Sequence, residues 1–133
     1  MASKYLYLNS RDELFRMDVA KIVYFEADGN YTNFVMSDKV KGAVCMNLGE
    51  MQKQLTECLQ EAAQTFARIG KRHIVNLTYV YHISLARQRL VLSDGEVFAY
   101  PLSISKEALK ALKEMLVQSI NNTQTTQKQD IKA

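Results

Sequence analysis

The stretch IVYFEADGNYT, residues 22–32, decides the fold class of this chain. Residues 21–27 are rich in β-branched and aromatic side chains, which favour strands. Asp28, Gly29 and Asn30 follow, and all three tolerate positive φ and favour a tight turn. Strand character resumes over residues 31–36. The stretch therefore predicts two strands joined by a turn, which indicates a β-rich domain.

Short strands and one helix extend this pattern in both directions. Residues 4–8 alternate as a half-buried strand does, and residues 40–46 predict a partner strand weakened by Gly42. Asn47 is a good helix N-cap, and Glu50 completes a capping-box-like pattern. The helix near residues 47–66 carries an apolar stripe at helical spacing. The stripe contains Leu48, Met51, Leu55, Cys58, Leu59, Ala62 and Phe66.

A second set of strands follows Gly70, which can end the turn after the helix. Strands are predicted at residues 72–77, 80–85, 89–93 and 96–101, with Asp94-Gly95 as a type I′ turn between the last two. Pro101 should end its strand or lie on a sheet edge. A C-terminal helix near residues 105–120 has one apolar face. The prediction is a mostly β, α+β fold with two helices, ordered over residues 1–120 and followed by a disordered tail at 121–133.

Length and composition narrow the class of protein. The 133 residues predict one domain, and 47% hydrophobic with 23% charged residues excludes wholesale disorder. No stretch of about 18 apolar residues predicts a membrane span, and charged residues at 11–13 interrupt any signal peptide. Cys45 and Cys58 are too few for a disulfide framework or a four-ligand zinc site and are expected to be small core residues. A cytoplasmic protein without membrane partners is expected.

The positive charge is concentrated in one part of the sequence. Residues 62–93 contain no Asp or Glu and carry five Lys and Arg, whereas the whole chain has a net charge of only +3. The rest of the chain is therefore slightly acidic. Such a band attracts polyanions, although it would also arise from strands whose outward positions happen to be basic. The five residues are Arg68, Lys71, Arg72, Arg87 and Arg89.

The sequence offers little catalytic chemistry. Neither His73 nor His82 has a Cys, Asp or Glu at metal-ligand spacing, and each is expected to be packed or hydrogen-bonded in a strand. Glu26 and Asp28 could form a carboxylate pair, but no nucleophile or histidine accompanies them in sequence. Nucleotide-binding and hydrolase motifs do not occur. We expect no enzyme activity, no catalytic residues, no metal and no cofactor.

Three runs together resemble the LytTR-type DNA-binding domain of bacterial transcription regulators. They are IVYFEADGNYT at residues 22–32, FARIGKRHIVNL at 66–77, and LVLSDG at 90–95 leading to PLS at 101–103. Their order, with a Leu-containing helix between the first two, is similar to that of the family. The resemblance covers roughly residues 4–116. It implies an elongated β-strand fold whose loops and strand ends, rather than a recognition helix, enter two successive major grooves of duplex DNA.

The resemblance also implies where DNA would be contacted, in three regions and one weaker site. Lys and Arg would bind phosphates while polar side chains at loop tips read base edges. Asn76 fills a family position that is expected to be structural. The candidate DNA-binding residues are Asn30, Tyr31, Thr32 and Asn33 in the first region, Lys71 and Arg72 in the second, Ser103, Ser105 and Lys106 in the third, and Asn47 at a helix N-terminus that could bind a phosphate.

The chain departs from the family pattern at three positions. Ile104 stands where Arg commonly follows the Ser, Gly70 stands where His is frequent, and His73 occupies an aromatic position. Many such response regulators also carry a receiver domain before the DNA-binding domain. This chain has no room for one and is expected to be a stand-alone domain or an excised piece.

The expected function is sequence-specific binding of double-stranded promoter DNA by a bacterial transcription regulator. Direct repeats occupied by two protomers, as a homodimer on DNA, are the expected target. The alternative is a small β-rich protein–protein interaction module that uses an exposed apolar helix face, formed by Leu109, Leu112, Leu116 and Ile120. A ligand-sensing α+β fold is a more distant third interpretation, which a closed apolar pocket would favour.

Overall fold

Ten strands and two helices make up the protein in a computed structural model that describes residues 4–132, with side chains described up to residue 121. The mostly β, α+β class is therefore confirmed. The strands are β1 (Tyr5–Asn9), β2 (Leu14–Asp18), β3 (Ile22–Asp28), β4 (Tyr31–Met36), β5 (Lys41–Val44), β6 (Phe66–Ile69), β7 (His73–Asn76), β8 (Val80–Ser84), β9 (Arg89–Ser93) and β10 (Ala99–Ser103), and the helices are α1 (Leu48–Leu59) and α2 (Lys106–Lys132).

A five-stranded antiparallel sheet, in the order β5-β4-β3-β7-β6, lies at the centre of the fold. The predicted turn at its middle is confirmed, because β3 and β4 form a hairpin in which Asp28 pairs with Tyr31. Gly29 has a φ of +60°, as the first central residue of a type II′ turn does. Two smaller sheets, β1-β2 and β10-β9-β8, complete the architecture.

Each face of the central sheet is covered by its own hydrophobic core. The β1-β2 hairpin and α1 pack on one face, and the three-stranded sheet with α2 packs on the other. The side chains of β3 alternate between the two cores, and a register shift between Ile22 and Tyr24 places Ile22 and Phe25, three residues apart, on the α1 side while Val23 faces the other layer. The central strands are thereby buried on both sides.

The helix α1 begins where the sequence predicts and ends earlier. Asn47 is the N-cap, and its side-chain oxygen accepts a 2.8 Å hydrogen bond from the Glu50 N–H. The helix ends at Leu59 because Gln60 has a φ of +52°, and a 3₁₀ turn over Gln60–Thr65 follows. The predicted extension to residue 66 is wrong, and Phe66 begins β6. Phe66 nevertheless packs against the same core as α1, which explains why it fits the helical spacing.

The hairpin between β9 and β10 has a longer turn than predicted. The Asp94 carboxylate accepts hydrogen bonds from the backbone N–H groups of Glu96, Val97 and Phe98, at 3.0, 2.8 and 3.3 Å. These bonds, led by that of Glu96, hold the pKa of the Asp94 carboxyl below its ordinary value. Pairing resumes only where Ala99 meets Ser93, so the strand predicted at 96–101 is instead β10. Pro101 lies on this edge strand, as expected.

Gly42 has a packing role in β5. A Cβ atom at this position would overlap the ring of Phe34, which lies directly over the glycine. Phe34 is itself buried and meets Phe15 edge-on at 5.4 Å between ring centroids. Gly42 weakens the strand prediction from sequence, but its lack of a side chain leaves the space in which the Phe34 ring packs.

Other differences concern exposure and element ends. The sequence did not predict β2, whose alternation is obscured by charged neighbours. Cys45 and Cys58 are both exposed, so the expectation that they are core residues is wrong: Cys45 follows the end of β5, and Cys58 lies at the rim of the α1 stripe.

The backbone of α2 is helical to Lys132, across most of the segment expected to be a disordered tail, because no Gly or Pro interrupts it. The division of the chain at residue 120 stays a prediction.

Candidate nucleic-acid interface

The topology gathers the predicted contact regions at one end of the central sheet. Glu26 near the end of β3 pairs with His73 at the start of β7, so the turns at residues 29–30 and 70–72 leave the sheet side by side. The Ala27 N–H donates a 2.8 Å hydrogen bond to the Arg72 carbonyl across this junction. We call the surface formed by residues 29–31, 70–72, 87–88 and 103–106 the basic end.

The first predicted region is only partly available at this end. Asn30 and Tyr31 are exposed, and Tyr31 has 48% of its surface accessible. Asn33 is half-buried, and its amide donates to the Asp28 carboxylate at 3.3 Å. Thr32 is fully buried, and its hydroxyl donates to the Met46 carbonyl at 2.8 Å. The prediction that Thr32 contacts DNA is therefore wrong, because alternation along β4 turns its side chain into the core.

The second region presents its charges to solvent. The Arg72 guanidinium lies 3.8 Å from a Glu26 carboxylate oxygen and 3.5 Å from the Ala27 carbonyl, and 68% of the side chain remains exposed. Lys71 is exposed, and its carbonyl accepts a 3.1 Å hydrogen bond from the Arg68 guanidinium. Hydrogen bonds to the Lys71 and Arg72 carbonyls thus hold the turn backbone in place. The charged groups of both side chains remain accessible to solvent.

His73 anchors the same turn from within. Its Nε2 lies 3.0 Å from the Glu26 carboxylate, and 6% of the residue is exposed. Burial lowers the pKa of His73, although Glu26 acts in the opposite direction. A carboxylate oxygen only accepts, so the His73 Nε2–H donates to Glu26, and the expectation of a packed, hydrogen-bonded histidine is confirmed at this position. His82 lies in β8 and is exposed.

The third region joins the second in one open depression of about 460 Å³, which is lined by residues 69–73, 103–105 and 107–108. Ser103, Ser105 and Lys106 are exposed, and the Ser105 hydroxyl accepts a 3.3 Å hydrogen bond from the Ala108 N–H at the start of α2. Ile104, by contrast, is buried in the core beneath β9 and β10. This region therefore offers hydroxyl groups and one ammonium group.

Asn47 lies on the other side of the first region. The Thr32–Met46 hydrogen bond ties the segment before α1 to the first residues of β4. The Asn47 side-chain oxygen is already used to cap α1, so only its amide group is free to meet a ligand. Its proposed contact with a phosphate stays a prediction.

Sequence reasoning left two residues of this surface out of the candidate set. The turn between β8 and β9 places Arg87 and Gln88 beside Ser103 and Ser105. The acid-free window of the sequence included Arg87, but only the tertiary structure shows which other segments this turn approaches. The glutamine carries no charge and had no signal in the sequence.

The basic end retains most of its positive charge. Within residues 4–121, Arg72–Glu26 is the one ion pair between an Arg or Lys and a carboxylate, and Glu26 also accepts the hydrogen bond from His73. The carboxylates of Asp28 and Glu107 flank these segments, but neither forms an ion pair with Lys71 or Lys106. The same part of the chain has no grouping of three or more metal-ligating side chains. Its helices also include none with the length and apolar character that a membrane span requires.

A sheet domain that presents basic turns and polar loop tips at one end has a surface suited to binding a polyanion. The family model described as the LytTr DNA-binding domain matches residues 12–117. The chain therefore belongs to the LytTr DNA-binding domain family, and the resemblance of the three runs is confirmed.

Known proteins extend this comparison. The chain is 29% identical over 102 residues to the heme-containing CO-sensing transcriptional regulator RcoM 2 of Paraburkholderia xenovorans (strain LB400), covering 75% of this chain and 35% of that protein. RcoM 1 of the same organism is 28% identical over 108 residues, covering 80% and 37% respectively. The chain thus spans about a third of the length of these relatives.

A solved structure shares the fold. A chain described as the LytTr DNA-binding domain of a methyl-accepting/DNA response regulator from Bacillus cereus superposes with a TM-score of 0.56. The superposition covers 87% of this chain and 98% of that chain, at 20% sequence identity.

Proposed function

We propose that this chain is the DNA-binding part of a bacterial, cytoplasmic transcription regulator that recognises a specific duplex sequence and has no catalytic activity. The observation that supports the proposal is the convergence of three sequence-separated regions on the basic end. Membership in the LytTr DNA-binding domain family supports DNA as the ligand, and the two RcoM relatives are named as transcriptional regulators.

The division of labour within the site follows from the exposed groups. Lys71, Arg72 and Lys106 bind backbone phosphates, which supplies affinity without sequence information. Asn30 and Tyr31 lie at the tip of the β3-β4 turn and reach base edges in a major groove, where an asparagine amide pairs with adenine. Ser103 and Ser105 contact the next groove or its backbone. Two protomers on direct repeats would double this contact set.

The alternative, a protein partner on an exposed helix face, is opposed at two of its four residues, although Met115, Val117 and Ile120 leave α2 partly apolar at its surface. Leu109 and Leu112 of the predicted apolar stripe are buried in the core beneath α2, and Leu116 is half-buried. Ile120 is 46% exposed, but it is far along α2 from the basic end. The depressions lined by the basic end are open, so they do not favour a closed ligand-sensing pocket there.

The proposal is tested by fluorescence anisotropy with duplexes selected from a random library, measured across a salt series. Each phosphate contact contributes about −0.9 to the slope of log K against log salt for B-DNA. Lys71→Ala with Arg72→Ala should reduce the slope by about two. Absence of binding at low salt, or a slope near zero, would exclude the proposal.

A charge-matched control comes from the opposite end of the same sheet. Lys21 precedes β3, and Lys39 lies in the turn between β4 and β5 with a φ of +71°. Lys21→Ala with Lys39→Asn removes two charges while keeping a residue that tolerates positive φ at position 39. This control should leave the slope close to that of the unmodified protein.

A further inference from the structure

The turn between β8 and β9, residues 85–88, is a fourth segment of the basic end. Its backbone is held by three hydrogen bonds: the Arg87 N–H donates to the Ser84 hydroxyl at 3.2 Å, the Gln88 N–H donates to the Leu85 carbonyl at 3.2 Å, and the Ile104 N–H donates to the Gln88 carbonyl at 3.1 Å. The last bond fixes the turn to the segment that carries Ser103 and Ser105.

The position of this turn makes it continuous with the candidate interface. Arg87, Gln88, Ser103 and Ser105 line an open depression of about 360 Å³. The same two serines line the depression that contains Lys71 and Arg72. A duplex that contacts the second and third regions therefore lies against the β8-β9 turn as well.

The side chains of the turn are free for a ligand. Arg87 and Gln88 are exposed, and within residues 4–121 the Arg87 guanidinium makes no ion pair. Gln88 has a φ of +50°, a conformation that glycine adopts without strain and glutamine does not.

The chemistry of the surface assigns the two side chains different roles. Ile104 is buried, so its neighbours Ser103 and Ser105 offer single hydroxyl groups. Among the exposed side chains of residues 85–88 and 103–105, Gln88 alone carries a carboxamide, which can make the two-hydrogen-bond contact that distinguishes adenine from other bases. Because the turn is rigid, this amide is presented with little loss of backbone entropy on binding.

We propose that the β8-β9 turn is a specificity-determining DNA contact in which Gln88 reads a base edge and Arg87 binds the adjoining phosphate. The proposal rests on the DNA-binding function proposed above. It adds a segment that none of the three sequence-predicted regions includes.

The test combines two variants with selection of bound duplexes. Gln88→Gly removes the amide and suits the positive φ, so the fold is retained. We expect discrimination between the selected site and its single-base variants to fall about 5- to 150-fold at one or two base pairs, the range of a bidentate contact. Arg87→Ala should instead reduce the salt slope by about one and leave base discrimination unchanged.

The matched control is Gln60→Gly, because Gln60 also has positive φ, is exposed and lies at the far end of α1 from Asn47. It should bind with unchanged discrimination. Two results overturn the inference, provided that Lys71→Ala with Arg72→Ala still weakens binding. One is that Gln88→Gly discriminates between duplexes as the unmodified protein does. The other is that Arg87→Ala keeps the full salt slope. Failure of the unmodified protein to bind any duplex at low salt refutes the proposed function instead, and this contact with it.

Discussion

Glu26 serves two residues that differ in burial. Its carboxylate accepts a hydrogen bond from buried His73 and lies 3.8 Å from the exposed Arg72 guanidinium. An acceptor at the rim of the core lets His73 be buried without an unsatisfied N–H. The same carboxylate attracts the Arg72 guanidinium, which therefore lies beside the end of β3. One side chain therefore links the packing of the sheet to the charge presented at the basic end.

This arrangement predicts a pH-dependent stability. The pKa of His73 is lowered in the folded protein, so the unfolded chain binds more protons as the pH falls below about 6.5. The contribution of His73 is fully present above that value and is lost as the pH falls through the folded pKa. Urea unfolding between pH 7.5 and 5.5 should show decreasing stability, by at most about 1.4 kcal/mol per pH unit for one proton.

His73→Gln supplies the comparison, because its amide can still donate to Glu26 but does not titrate. The variant should show a flatter dependence over the same range. Equal slopes for both proteins would mean that another group accounts for the loss of stability.

At the scale of elements, helix α1 shows how a single position can have two interpretations. Asn47 was a candidate for DNA binding and for helix capping, and the structure shows its oxygen in the cap.

In the β9-β10 hairpin, a turn predicted from two residues proves to be a longer loop. Asp94-Gly95 predicted a two-residue turn, but the Asp94 carboxylate organises a longer loop because it can accept several successive N–H bonds.

Substitutions of Asn47 separate its two roles. Asn47→Ala should lower the free energy of unfolding by about 0.5–2 kcal/mol through loss of the cap. Asn47→Asp keeps an acceptor oxygen and should leave stability nearly unchanged, since a negative charge suits a helix N-terminus. If a phosphate lies at this site, Asn47→Asp should nevertheless weaken duplex binding in the anisotropy assay. Unchanged binding by Asn47→Asp would leave Asn47 with a capping role alone.

At the scale of the whole molecule, the central sheet separates two cores, and the exposed basic residues of the basic end lie at one of its ends. Phe25 and Ile74 belong to one core, while Val23 and Val75 belong to the other. Because β3 and β7 are covered on both faces and flanked on both edges, their amides are shielded more completely than those of any edge strand. The turns that leave this rigid sheet are consequently held in fixed relation to one another.

Hydrogen exchange tests this arrangement. Amides of β3 and β7 should exchange only through global unfolding, whereas those on the open edges of β8 and β10 should exchange by local opening. Native-state exchange followed by NMR in low urea would resolve the two groups. If the β8 amides were the last to exchange, the three-stranded sheet and not the central one would be the stable unit.

The sequence by itself determined the local features: the β3-β4 turn, the cap and stripe of α1, the structural role of Asn76 and the family. These depend on residues near one another in the chain, or on runs long enough to match a family pattern. Asn76 is an example, since its amide donates to the Ile22 carbonyl at 2.8 Å and its oxygen accepts from the Thr78 N–H at 3.0 Å.

Only the tertiary structure decided which candidates share a surface. It buried Thr32, placed Ile104 in the core, exposed both cysteines and brought the β8-β9 turn against Ser103 and Ser105. These outcomes follow from strand register and from contacts between segments far apart in sequence. Local side-chain preferences do not encode such contacts, because they depend on the shape of the whole sheet.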